Sequence, residues 1–186
     1  QYTGGIGEEG VLRLQEFVAA GGWLVAIDAS CQLLLRYFTL PVRDALTTSA
    51  GTRTRLARDK FFCPGSILGV TLDAAHPIAW GRSGRVPAFF AHSQAFEIVA
   101  PGKEKEGRDP ARLYPAKVVA RYADTLLLES GYLKGEEQLA GKPALVEVAW
   151  EKGRVVLFGF RVQHRCHTHA TLRLLFNAIR ASTLAP

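Results

Sequence analysis

Gly21-Gly22-Trp23-Leu24-Val25-Ala26-Ile27-Asp28-Ala29-Ser30 anchors the architecture of this chain. An unbroken apolar run between a Gly-Gly stop and a small polar turn has the signature of a short strand covered on both faces, as in a parallel sheet flanked by helices. Upstream, Glu8 to Ala20 sets Val11, Leu14, Phe17 and Val18 at helical spacing, with Glu8 and Glu9 in the first turn where they complement the helix dipole. Downstream, Cys31 to Phe38 returns to helix-like composition until Leu40-Pro41 stops it. Helix, strand and helix in immediate succession is half of a doubly wound unit.

Beyond Pro41 the character changes. Pro and Gly punctuate short β-rich stretches at Ser66 to Leu72, Pro87 to Ala91 and Phe96 to Ala100, so residues 41–115 are expected to form a β-rich insertion. Pro101 to Pro115 is charged and contains Gly and Pro, the composition of an exposed loop. Lys117 to Tyr122 resumes strand character, and Ala144 to Trp150 with Arg154 to Phe160 lie close enough to form a hairpin. Thr168 to Ala181 closes the chain as a helix, with Leu172, Leu175, Phe176 and Ile179 on one side and Thr168 placed as N-cap. The expected fold is α/β: a three-layer flavodoxin-like sandwich in a single domain, its opening strand or strands preceding Gln1.

A chain of 186 residues is long enough to bury an adequate core without metal or disulfide. The 48% hydrophobic and 22% charged composition excludes a disordered or collagen-like chain, and no apolar run approaches the roughly 20 residues of a membrane span. Three scattered cysteines, Cys31, Cys63 and Cys166, form no C-x-x-C pair and exclude a disulfide framework. The net charge of +6 is dispersed, apart from Arg53, Arg55, Arg58 and Lys60, which flank a loop and suit a solvated one. No zinc-finger, RRM or basic-helix pattern accompanies them, so a nucleic-acid partner is not expected. The first residues have neither an initiator Met nor a signal-peptide layout, which suggests a piece of a longer polypeptide.

Two places are candidates for chemistry. In open α/β sheets ligands gather at the carboxyl ends of strands, which points to the turn after Ile27. A nucleophile on a sharp strand-to-helix elbow needs small neighbours two residues to either side. Asp28 has them in Ala26 and Ser30, whereas Cys31 has Ala29 on one side and Leu33 on the other. A carboxylate in that slot is a weak amide-cleaving nucleophile beside an activated thiolate, so the elbow is expected to be degenerate. The alternative pairs Cys31 as nucleophile with His164 as base.

The second candidate is Gln163-His164-Arg165-Cys166-His167-Thr168-His169. His164, Cys166, His167 and His169 are of metal-ligating type, but structural zinc sites draw on two separated ligand pairs and no second pair exists. A polar loop is the expected role, with a metal-binding module as the alternative. His76 and His92 are isolated, and Phe61-Phe62-Cys63-Pro64-Gly65 reads as core. No H-x-x-E, H-E-x-x-H, G-x-S-x-G or Walker-type loop occurs.

Tyr2-Thr3-Gly4-Gly5-Ile6-Gly7, Gly21-Gly22, Phe61-Phe62-Cys63-Pro64-Gly65-Ser66, His76-Pro77-Ile78-Ala79-Trp80-Gly81 and the long run from Gly153 to Arg165 form a series. It resembles the C-terminal class I glutamine amidotransferase-like domain of bacterial M14-family zinc carboxypeptidases. The resemblance implies an accessory domain partnered by an upstream peptidase domain of the same polypeptide. Zinc and peptide-bond hydrolysis then belong to that domain, and no cofactor to this chain. In true class I amidotransferases a Cys occupies the elbow and a His-x-Glu pair follows a late strand. Here Asp28 stands at the elbow and Cys166 two residues after His164, so no glutaminase activity is expected.

Overall fold

The computed structural model describes residues 5–48, 54–99 and 114–184. The chain is a mixed α/β structure with helices on both faces of one sheet. Helix α1 (Gly7–Ala19) leads into strand β1 (Trp23–Ile27), and a 3-10 turn over Asp28–Ser30 passes directly into α2 (Cys31–Tyr37). Then come β2 (Val42–Asp44), β3 (Ser66–Leu72), β4 (Arg85–Phe90), β5 (Phe96–Ile98), β6 (Ala116–Tyr122), β7 (Leu128–Gly131), β8 (Pro143–Trp150) and β9 (Gly153–Phe158). Helix α3 (His169–Leu184) closes the chain immediately after Thr168.

The main sheet runs in the order β1-β9-β8-β6-β3-β4, with β7 pairing the other half of the β3 edge that β6 uses. Among the described residues only β1 and β9 are parallel, and every other pair in the main sheet is antiparallel. This corrects the expectation of a parallel sheet, and the physical cause lies in the connections. Trp150 pairs with Gly153, leaving Glu151 and Lys152 as a tight hairpin turn with Glu151 at φ 51°. So short a connection can only reverse the chain, whereas a parallel neighbour needs a crossover.

β1 also departs from expectation. It is an outer strand of the sheet among the described residues, and four of its five residues are half-buried. The expected full cover of both its faces is only partial. Residues 41–115 divide: β3 and β4 are built into the main sheet, while β2 and β5 form a separate antiparallel pair tied by Arg43 and Glu97 at 2.9 Å. Residues 101–113 of the expected exposed loop, and Ala100 at the end of the expected stretch Phe96 to Ala100, lie outside the described residues.

Alternation along β8 and β9 divides the core. Val146, Val148, Val155 and Leu157 face α1 and α2, where they meet Val18, Leu34 and Leu35. Leu145, Val156 and Phe158 face the other way, into the larger cluster that takes Leu174 and Ala178 of α3. Gly153 is required where α1 returns to the sheet: a Cβ there would stand 2.2 Å from the Gly22 carbonyl oxygen and 2.3 Å from that of Val18. The segment Phe61–Cys63 does enter the core, with Phe61 and Cys63 buried.

Candidate functional site

The parallel pair sets the site. Ile27 and Phe158 are partners at the carboxyl ends of β1 and β9, so the residues that follow each strand emerge at the same edge of the sheet. Asp28 takes up the left-handed region at φ 54°, which turns the strand sharply into α2. A non-glycine residue there costs energy that its surroundings must supply, and Asp is among the residue types that tolerate it best. Ser30 helps, since its hydroxyl accepts from the Ile27 amide and donates to the Ile27 carbonyl, each at 2.8 Å. The sharp elbow expected at Asp28 is therefore present.

Both carboxylate oxygens of Asp28 are occupied. Arg161 Nε donates to Oδ2 at 3.0 Å, and the Ser93 hydroxyl donates to Oδ1. Each partner is itself held. The Arg161 amide donates to the Phe89 carbonyl at 3.0 Å, which ties the end of β4 to the segment after β9. The Ser93 Oγ accepts from the Ala91 amide at 3.1 Å. Arg55 donates through both terminal guanidinium nitrogens, to the carbonyls of His92 and Ser93. Arg55 is thus a clamp on the site, not a member of a solvated basic loop. Arg58 lies over the Phe62 ring at 5.5 Å, and Arg53 lies outside the described residues.

Cys31 lies one turn beyond the elbow with no solvent exposure. Its thiol donates to the carbonyls of Phe158 at 3.3 Å and Ala26 at 3.6 Å. Burial pushes its pKa well up, and the negative charges of Asp28 and Asp44 add to the shift. The thiolate, not the thiol, is the nucleophile, so this environment opposes activation. His164 does not serve Cys31: its ring stacks on Phe89 at 4.2 Å and 3° between planes, and no hydrogen bond joins it to Cys31. Partial desolvation, then the Arg161 cation and the nearby His167 and Arg165, hold the imidazole below its ordinary pKa. The proposed thiol and imidazole are thus placed near the same edge and given separate tasks.

Ring contacts hold two side chains of the histidine-rich turn, His164 and His167. Among the described residues no group of three or more His, Cys, Asp or Glu side chains is arranged to hold an ion. His164 and His167 meet edge to face at 5.5 Å, and His167 also packs on the edge of Phe89. Cys166 is exposed, and His169 opens α3. Arg165 and Cys166 are both left-handed, at φ 48° and 53°, which turns the backbone between the residues that a shared ion would need to unite. Thr168 is buried before α3, its hydroxyl 2.9 Å from that of Thr171.

Ser93, Phe89 and Arg55 complete the site without any motif of their own; Arg161 stood in the sequence only as part of the run after β9. Chemically, the arrangement fixes a carboxylate between a guanidinium and a hydroxyl. It presents no free nucleophile.

No known family's sequence profile matches this chain, and no curated protein is similar to it in sequence. Similar solved structures include the cold-adapted β-galactosidase from Rahnella sp. R3, with 16% identity and a TM-score of 0.50 over 96% of this chain. A β-galactosidase from Bacillus circulans sp. alkalophilus has 13% identity and a TM-score of 0.52 over 95%. The cytoplasmic protein STM3548 from Salmonella typhimurium has 15% identity and a TM-score of 0.51 over 97%. The chain spans 21% of the length of each of those two β-galactosidases and 63% of the Salmonella protein. At these identities the likeness concerns the fold.

Proposed function

We propose that this chain is a non-catalytic accessory domain with the three-layer class I glutamine amidotransferase-like architecture. It serves an M14-family zinc carboxypeptidase domain of the same polypeptide, which supplies the zinc and hydrolyses the peptide bond. The observation that carries the non-catalytic part is the occupied elbow: Asp28 stands in the slot with both oxygens engaged by Arg161 and Ser93, and Cys31 is buried behind it as a thiol. Such a slot has lost its nucleophile while keeping the turn that would have presented one. The peptidase partner rests on the sequence resemblance. Use of a similar fold as a fifth of two longer β-galactosidases favours the reading of this chain as one module of a larger enzyme.

The test has two arms. The purified chain is expected to release no ammonia from glutamine and to cleave no carboxypeptidase substrate. In the longer polypeptide, removing residues 1–186 is expected to alter peptidase stability or KM while leaving the zinc chemistry in place. Glutamine turnover by the isolated chain would overturn the non-catalytic reading. A longer polypeptide that lacks a zinc peptidase domain would overturn the partner.

A further inference from the structure

A second concavity lies at the opposite end of the same two strands. Trp23 opens β1 and pairs in register with Arg154 near the start of β9, roughly 13 Å from the elbow end at about 3.3 Å per residue. They border a groove of about 410 Å³ between α3 and the sheet. That size falls within the roughly 300–1,000 Å³ of small-molecule sites. Arg173, Asn177, Arg180 and Leu184 of α3 line one wall, and the turn through Pro77, Trp80 and Gly81 forms the other. Asn177 Nδ2 locks the two walls together by donating to the carbonyls of Ile78 and Trp80, both at 2.9 Å.

The floor is polar, and it is buried. Glu147, on the α3 face of β8, has its side chain 9% exposed, and His76 beside it is 7% exposed. Glu147 stands 3.5 Å from His76 Nε2 and 3.5 Å from Arg154 Nε. Both distances are long beside the roughly 2.7–2.9 Å of a strong charge-assisted hydrogen bond. The carboxylate therefore keeps acceptor capacity toward the groove. A buried carboxylate held this loosely is a poor contributor to stability.

The rim has the opposite charge. Lys117, Arg154, Arg173 and Arg180 line the groove against the single carboxylate of Glu147. Lys117, Arg173 and Arg180 have no carboxylate partner among the described residues. Trp80 is 59% exposed at this rim, an indole face left beside an array of cations.

We propose that this groove binds a purine-type nucleotide: a planar ring with N–H donors directed at Glu147, stacked against Trp80, and phosphate groups held by Arg173, Arg180 and Lys117. Guanidinium groups match phosphate oxygens in forked geometry, and an indole face stacks well on a nitrogen heterocycle. A simple inorganic anion would use the rim and be repelled by the floor. A neutral nucleoside would use the floor and the indole and leave the cations unpaired. The groove lies apart from the elbow, so the assignment stands or falls independently of the accessory role.

The experiment titrates the 186-residue protein with ADP, adenosine and inorganic pyrophosphate separately, by calorimetry and by tryptophan fluorescence. Saturable ADP binding that weakens as salt is raised is expected, with adenosine and pyrophosphate each weaker by about tenfold or more, since every ~1.4 kcal/mol is a factor of ten. The double variant Arg173→Ala/Arg180→Ala is expected to lose about tenfold or more in ADP affinity, and Trp80→Ala to weaken ADP and adenosine but not pyrophosphate. All these positions are exposed, and circular dichroism checks that each variant is folded. Absence of saturable ADP binding overturns the proposal. So does pyrophosphate binding as tightly as ADP, ADP binding unchanged in the folded double variant, or displacement of ADP by an acidic peptide of higher affinity.

Discussion

Arg161 Nε donates to Asp28 Oδ2 at 3.0 Å across 133 positions of sequence, joining the segment after β9 to the turn after β1. The Asp28 side chain is 14% exposed and that of Arg161 38%, so the pair is only partly screened by water. It fixes the elbow in its left-handed conformation and fills the slot where a nucleophile would stand.

Replacing that carboxylate should therefore destabilise the fold. Asp28→Asn keeps a side chain suited to φ 54° but removes the charge, and a loss of about 1–2 kcal/mol is expected after allowance for the exposure of Arg161. Asp28→Val should lose more, because a β-branched residue in the left-handed region adds strain on the order of 1–3 kcal/mol. Urea denaturation midpoints measure both. An Asn variant as stable as the parent chain would mean that the ion pair contributes nothing.

The three thiols should react in a fixed order. Cys166 is exposed, while Cys31 and Cys63 are buried. At neutral pH an alkylating reagent should modify Cys166 quickly and the other two only after unfolding. Peptide mapping after limited alkylation reads the order, and early labelling of Cys31 would revive it as a nucleophile.

Stability should fall on the alkaline side. Burial raises the pKa of Cys31 and Cys63 above the ordinary 9.0, and of Tyr122 well above 10.0. With each folded pKa above its unfolded value, the unfolded chain releases protons first. The stabilisation is whole below about pH 9 and is lost as the pH rises past it. Denaturation midpoints should drop steadily between about pH 9 and pH 11. Cys31→Ala should flatten part of that slope whatever its effect at pH 7. A flat profile across this range would contradict the burial of these groups.

Gly159 should tolerate no side chain. It accepts from the Gln94 amide at 2.7 Å and donates to the Ala144 carbonyl at 2.8 Å. A Cβ there would stand 2.5 Å from the Gln94 carbonyl oxygen and 3.0 Å from that of Ala144. Gly159→Ala should force these strands apart and cost about 1–3 kcal/mol, the range of overpacked cores. For comparison, Leu157→Ala in the wholly buried part of β9 should cost about 2–5 kcal/mol. Thermal unfolding followed by circular dichroism ranks the two. A Gly159→Ala variant with an unaltered midpoint would show that the neighbouring carbonyls yield without cost.

The elements were mostly legible along the chain because their signals are local. Apolar spacing marks α1 and α3 as helices, although Phe17, Phe176 and Ile179 of the expected faces are exposed and α3 buries Leu174 and Ala178 instead; continuous apolar runs mark β8 and β9, and Ser66 to Leu72 matches β3 to the residue. What was not legible was pairing. β7 gives no strand signal, because its four residues are exposed and carry no alternating pattern. β2 escaped notice because three residues are too few for a period to show. Arg55 looked like loop charge, since nothing nearby in sequence marks the carbonyls of His92 and Ser93 as its partners.

Local chemistry alone accounts for the mixed α/β elements, for the turn at Asp28 and for the lack of a recognisable nucleophile motif, because spacing, small neighbours and residue type are properties of adjacent positions. Long-range packing settled the strand directions, the partners of Asp28 and the separate duties of Cys31 and His164. Ser93 and Arg161 reach Asp28 from 65 and 133 positions away. Only the pairing of β1 with β9 and the bridge from Phe89 of β4 to Arg161 bring such distant residues within bonding distance.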